Sequence, residues 1–388
     1  MVVENMILGT DLSKRKYGLD ILRALAIIFV LIHHTDFTFL GSFNKVVEFF
    51  TIDGVSIFFV LSGYLIGSIL LRTINNKDFT CKELFRFWIN RWMRTLPPYY
   101  LVLIVLFFIS KTFTVEVQSY FLTLKDKISY FLFLQNFKSP HFGFFAESWS
   151  LSVEEWFYLL VPISLFILYR LVSVKKSFLI AIVGVILFVT IYRIYSYLID
   201  FSGEVTPEQY DLWFRKLVIT RLDNIVFGVL GAYVAFYFRK FWENSSKRLF
   251  VLGIVLILID NLISSLHYFD ILSYKGAAGL YSCGFSFSVM SLGVLLLLPY
   301  LDKIKKREGF IYKSITLISL VSYSLYLLHF SLIYFCIMVE VPILANLPKP
   351  LFVIVYWTIC MIASCLMYRF IEKPFMDSRK TILKKLKL

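Results

Sequence analysis

Ten runs of predominantly apolar residues recur along the chain, at 17–39, 53–72, 95–113, 151–170, 177–199, 218–238, 248–268, 279–300, 315–338 and 350–372. Each is close to the roughly 20 residues that carry a helix across the hydrocarbon core of a bilayer. No water bonds the backbone there, so a spanning segment must be a helix or part of a closed barrel. Runs this long and this continuously apolar read as helices. Composition removes the soluble alternative: 59% of the 388 residues are apolar and 17% charged, against roughly 45–50% and 25% in an ordinary soluble domain. A soluble interior has no room for that excess. The expected fold is all-α, a polytopic membrane protein of about ten transmembrane helices. The weakly polar stretch 128–137 reads as an interfacial or re-entrant piece.

Charge orients these helices. With the N-terminus inside, segments 1–16, 72–94, 170–177, 239–248, 301–314 and 369–388 face the cytoplasm and hold 28 of the 40 Lys and Arg, while the outer loops hold 9. Cytoplasmic loops collect Lys and Arg, so an N-in/C-in arrangement is expected. The net charge of +14 is then a mark of topology, and no nucleic-acid partner follows from it. No loop exceeds about 40 residues, so 1–388 reads as a single integral-membrane domain with no separate soluble domain and no cleavable leader. Cys81, Cys283, Cys336, Cys360 and Cys365 lack metal or redox spacing, and all but Cys81 lie in apolar runs. They read as apolar thiols, and no metal is expected.

Function should lie in the charges that lipid excludes, since an ionised side chain at the bilayer centre costs at least roughly 2.5–3.5 kcal/mol. Arg23 and His34 stand eleven residues apart in the first run, about 16 Å along one helical face. Alternatively, Arg23 snorkels inward while His33 and His34 sit at the outer interface. Arg91 and Arg94 share a face just before the third run, and Pro97 or Pro98 suits the first turn of the helix that follows. The pair fits phosphate binding at an inner membrane face; an aromatic, basic helix lying on anionic lipid fits as well. Ser152 and Glu155 have capping-box spacing. That leaves Glu154 to orient a histidine, to bind a sugar hydroxyl, or to be a satisfied structural carboxylate. Arg221 and Asp223, two apart, face different partners. Asp260 reads as structural, and His141, His267 and His329 as packing or interface residues. Together these residues describe a central charged cavity, which suits a transporter and a membrane-embedded transferase equally.

Seven blocks in order carry a resemblance. They are Leu19–Ala26 with the R-x10-H spacing to His34, Phe58–Ile66, Arg91-Trp92-Met93-Arg94 with Pro97, Trp149–Glu155, Arg221-Leu222-Asp223 with Gly228, Val321–His329 and Phe370–Phe375. Along its length the chain resembles the acyltransferase-3 family of bacterial membrane O-acyltransferases, which acylate cell-envelope polysaccharide and lipopolysaccharide. The esterase-like C-terminal domain of some members is not expected here, so an acyl handover to such a domain would need another protein.

The resemblance implies acyl-CoA, usually acetyl-CoA, as cytoplasmic co-substrate, and an envelope polysaccharide or lipid-linked glycan as acceptor. It implies residence in the bacterial cytoplasmic (inner) membrane. On this reading Arg23, Arg91 and Arg94 hold CoA phosphates, and His34 is the general base or a transient acyl carrier. Glu154 partners His34 or the acceptor. Arg221, Asp223, Trp149 and His33 bind on the acceptor side, His33 pointing about 100° away from His34. Ser62, beside Gly63, is taken as a close-packing position, because no base adjoins it. The competing class is a carrier or flippase moving a glycan or anion through the same cavity. Gly/Pro-broken spans at matching places in two halves would favour transport, and the sequence has none. A bare sensor or scaffold is the third class.

Overall fold

The computed structural model describes residues 15–76, 79–109, 123–140, 143–305 and 309–386. His141 and the first part of the 114–150 loop, 114–122, lie outside the described residues. Eight helices are long and apolar enough to cross a membrane. Two shorter ones occupy the first and sixth expected runs. In chain order the ten are α1 Tyr17–His33, α2 Gly54–Asn76, α3 Cys81–Ile109, α4 Ser148–Leu168, α5 Val174–Asp200, α6 Leu222–Tyr237, α7 Ser246–Tyr268, α8 Gly276–Leu301, α9 Phe310–Val339 and α10 Lys349–Lys385. The protein is an all-α polytopic membrane protein, as its composition required.

Three local expectations change. The first run ends as α-helix at His33 rather than at 39. Asp36 Oδ1 accepts the Thr38 amide at 2.8 Å, a turn that diverts the backbone, and an amphipathic helix, Phe43–Phe50, then leads to α2. Pro97 and Pro98 lie inside α3 rather than at its start. The basic segment and the third span are therefore one continuous helix, which carries Arg91 and Arg94 up against α4. Stretch 128–137 holds the end of a short capped helix, Leu124–Phe131, and a loop.

Small residues set the centre. A Cβ on Gly63 would stand 1.8 Å from Ile225 O, and one on Gly228 2.1 Å from Val60 O. The backbones of α2 and α6 thus touch directly, which only glycine at the crossing permits. Gly18 on α1 meets Leu301 O in the same way, at 1.9 Å. Around this centre α9 packs on α1 and α10, and α7 on α8. α9 changes to a wider π-helix at His329, a local irregularity common at functional sites.

The helices run so that basic residues collect at one end. Lys16, Arg72, Arg239 and Lys303 share one cleft there, and Arg86, Arg91, Arg94 and Arg379 another. The opposite end carries His33, His34, Asp53, Arg215 and Asp260.

Gly63→Ala should cost at least about 1–3 kcal/mol by forcing α2 and α6 apart. A matched change at Gly143, where a Cβ meets nothing within 4 Å, should be close to neutral. Thermal unfolding in detergent measures both.

Candidate functional site

Three arginines from two helices meet in one chamber. Arg23 of α1 and Arg91 and Arg94 of α3 line a cavity of about 100 Å³, together with Ser62, Glu154, Tyr158 and Tyr326. Arg23 Nη1 lies 3.8 Å from Asp20 Oδ1, and Asp20 accepts from Arg15 Nε at 3.0 Å and Ser319 Oγ at 2.8 Å. Arg94 Nε lies 3.5 Å from Glu372 Oε1, and Glu372 accepts Ser324 Oγ at 2.9 Å. No acid pairs with Arg91 among the described residues. Arg91 and Arg94 also line an adjoining cleft of about 380 Å³ at the basic end, with Arg86 and Arg379. The arginine pair therefore faces a cavity on both sides.

Glu154 belongs to this chamber. Tyr158 donates to its Oε2 at 3.0 Å and stands 2.8 Å from Ser62 Oγ. Seen against the close-packing expectation, Gly63 makes the backbone contact and Ser62 faces the cavity. The expected link from Glu154 to His34 is not made. Glu154 is six residues below the first residue of α4, roughly 9 Å along the axis, and His34 lines the other cavity. Nor is there a capping box at Ser152 and Glu155, because α4 already starts at Ser148. Glu155 instead accepts Thr95 Oγ1 at 2.7 Å and Trp92 Nε1 at 3.1 Å, tying α4 to α3.

The second cavity, of about 380 Å³, lies at the opposite end and is lined by His33, His34, Asp53, Arg215, Asp260 and His267, among others. His34 Nδ1 is 2.8 Å from Val30 O and 3.4 Å from His329 Nε2. His329 Nδ1 is 2.8 Å from Tyr326 O. A carbonyl only accepts, so in the neutral rings both Nδ1 atoms carry the proton. The one proton on His34 Nδ1 is then shared, mainly with Val30 O and more weakly with His329 Nε2, and no hydrogen bond engages His34 Nε2 among the described residues. Glu147 fixes the start of the π-helix below this pair by accepting the Ser331 amide at 3.1 Å and its hydroxyl at 2.5 Å. At the cavity rim, outside the spans, burial pushes the Asp211 carboxyl up, but Arg215 at 3.0 Å and Lys216 at 2.5 Å more than offset this and hold it below its ordinary range.

A thin wall parts the two cavities. Val55 lines both, and Tyr326, whose hydroxyl lies 2.6 Å from Ser150 Oγ, faces the arginine chamber with its ring centre 5.7 Å from that of His329.

Three of the expected acceptor-side residues sit behind these walls. Arg221 is fully buried, donates to Ser56 Oγ at 2.8 Å and Asp53 Oδ2 at 3.3 Å, and lies 4.2 Å over the Phe287 ring. Asp223 pairs instead with Arg193 at 2.8 Å and Ser288 at 2.6 Å, so the two do use different partners. Trp149 is buried between Phe59 and the Arg221 guanidinium. His33, by contrast, does line the cavity. Asp260, read as structural, lines it too and accepts the Tyr281 hydroxyl at 2.8 Å. His267 also faces it, stacked 4.0 Å from Tyr274. Asp53, Arg215, Tyr158 and His329 were not singled out by sequence as site residues. His329 closes the Val321–His329 block, which was its one available signal.

The family model described as "Acyltransferase domain" matches residues 16–369. The peptidoglycan O-acetyltransferase OatA of Listeria monocytogenes is 34% identical over 190 residues, covering 45% of this chain and 28% of that protein. The O-acetyltransferase OatA of Staphylococcus aureus is 27% identical over 378 residues, covering 92% of this chain and 56% of that protein. The chain thus spans little more than half the length of such relatives, or less. No solved structure matches it.

Asp223→Ala would strand the Arg193 guanidinium, both side chains being fully buried. Removing one partner of a buried pair costs about 3–5 kcal/mol. The variant should lose folded yield in size-exclusion chromatography of detergent extracts, whereas Lys349→Ala, at an exposed pair with Asp36, should not.

Proposed function

Since the chain belongs to the acyltransferase domain family, we propose that it moves an acyl group, most simply acetyl, from acyl-CoA at its basic end to a hydroxyl of an envelope glycan at the other. The basic end is taken as cytoplasmic, and the membrane as the bacterial inner membrane. The O-acetyltransferase relatives support the reaction type, and the Listeria protein's name gives peptidoglycan as one acceptor of this class.

The observation that carries this reading is the pair of cavities separated by Val55 and Tyr326. The arginine chamber offers about 100 Å³, against the roughly 10–15 Å³ of such volume that one water needs. A thioester and its acyl group suit that volume, and a hydrated glycan in transit does not. Enzyme is therefore favoured over carrier. Arg91, without an acid, and Arg94 and Arg23, each sharing one, are suited to the phosphates of CoA, which guanidinium binds bidentately.

On the acceptor side the free lone pair of His34 Nε2 takes the proton of the attacking sugar hydroxyl. The new C–O bond forms as the C–S bond breaks, and the electron pair leaves on the CoA sulfur. His329 is a positioning residue. The Val30 carbonyl sets the tautomer that leaves Nε2 basic, and His329 Nε2, a longer second acceptor of the same N–H, steadies the ring, the role a third group plays behind a general base. Glu154, hydrogen-bonded with Tyr158 and Ser62, serves the donor chamber rather than His34.

Purified protein in vesicles with radiolabelled acetyl-CoA and an envelope glycan tests this reading; glycan flux without label incorporation would overturn it. His34→Ala should lower kcat by about 10²–10⁴-fold. His329→Ala should lower kcat about 3–10-fold, the worth of one neutral hydrogen bond, with donor KM unchanged. Arg91→Ala with Arg94→Ala should weaken CoA binding far more than acceptor binding.

A further inference from the structure

One wide cleft has no part in the reaction proposed above. It lies at the basic end, has a volume of about 700 Å³, and opens among the start of α1 and the ends of α2, α6 and α8. Its floor is aromatic: Tyr64 and Trp242 stack with ring centres 5.8 Å apart and planes 5° from parallel. Ala232, Ala235 and the half-exposed Phe236 make an apolar side wall.

Charge at the rim is unequal. Lys16 pairs with Asp302 at 2.5 Å, Arg239 pairs with Glu243 at 2.8 Å, and Lys303 bonds the Glu243 carbonyl and Ser246 Oγ. Arg72, exposed at the rim, has no acid partner among the described residues. Four cations thus face two carboxylates. Trp242, 5% exposed, keeps its indole N–H buried with no hydrogen-bond partner among the described residues. An exposed guanidinium with no acid partner, in a hollow where four cations face two carboxylates, suits an anionic ligand that accepts charge-assisted hydrogen bonds.

We propose that this cleft binds the phosphate headgroup of an anionic phospholipid. Phosphate meets Arg72 and Lys303, and glycerol and the acyl chains lie along Ala232, Ala235 and Phe236. Basic pockets between helices at a membrane face recognise such headgroups, and the apolar wall distinguishes a lipid from a free phosphate. None of these residues lines the arginine chamber, so the proposal does not depend on the acyl-transfer reading.

Thermal unfolding of the full chain in neutral detergent tests it, with dioctanoyl phosphatidylglycerol, dioctanoyl phosphatidylcholine, glycerol 3-phosphate and coenzyme A as separate titrants. Phosphatidylglycerol should stabilise saturably and phosphatidylcholine should not. Each rim cation contributes about 1 kcal/mol near a charged surface, so Arg72→Gln should weaken the apparent affinity ~5-fold and Arg72→Gln with Lys303→Gln ~25-fold. Arg72→Lys should retain most of it, and Lys125→Gln, at an exposed lysine of the short helix Leu124–Phe131, all of it. The single Arg72→Gln variant decides the matter if the double variant does not fold. Equal stabilisation by both lipids, an unchanged affinity in Arg72→Gln, or the same saturable effect from glycerol 3-phosphate would overturn the lipid assignment. Competition by coenzyme A would overturn it too, by giving the cleft to the donor.

Discussion

A charge taken into a membrane protein must bring its own counter-charge, and the interior is arranged around that need. The Born penalty of an isolated ion in a low-dielectric interior far exceeds what packing supplies. Arg193 with Asp223, Arg221 with Asp53, Arg94 with Glu372 and Arg23 with Asp20 all answer it. Each pair joins two helices except the last, which is completed across α1 and α9 by Ser319. The charged residues are thus part of the scaffold as well as the site.

Arg221 shows how the two duties combine. Its guanidinium spans Ser56 and Asp53 at the start of α2, and lies over the Phe287 ring. Asp53 in turn lines the cavity of His33 and His34. Replacing Arg221 would free Asp53 from its anchor, and the effect would reach the cavity through a residue that never faces it. The direct backbone contact of Gly63 with α6 holds these elements in register, so the ion pair and the glycine crossing sustain one another.

The helices were legible because a continuous apolar run has one structural outcome in a bilayer, and a helix occupies most of each of the ten runs. Arg23, Arg91, Arg94 and His34 were legible as cavity residues because burying such groups without function is costly. What a single segment hides is which side of a helix meets which neighbour. Glu154 lines the arginine chamber with Tyr158 and Ser62, whereas His34 lines the other cavity. His329 was passed over because its partners, His34 and the Tyr326 carbonyl, carry no charge and leave no pattern in its neighbourhood. Arg221 and Trp149 sit in two of the seven blocks, yet they build the wall rather than line the cavities.

The electrostatic balance of the arginine chamber bears on what it holds. Arg23, Arg91 and Arg94 line it with one carboxyl group, Glu154, while Asp20 and Glu372 pair with Arg23 and Arg94 from beyond its lining. The three guanidiniums are held together inside the protein, where like charges repel more strongly than at a surface. On the proposed reading, a phosphate entering beside Arg91 eases that repulsion and gains charge-assisted hydrogen bonds. The affinity for an anionic donor would then come partly from relief of repulsion among the arginines themselves. Adding a carboxylate next to Arg91 would ease that repulsion and, by the same argument, weaken the donor's hold.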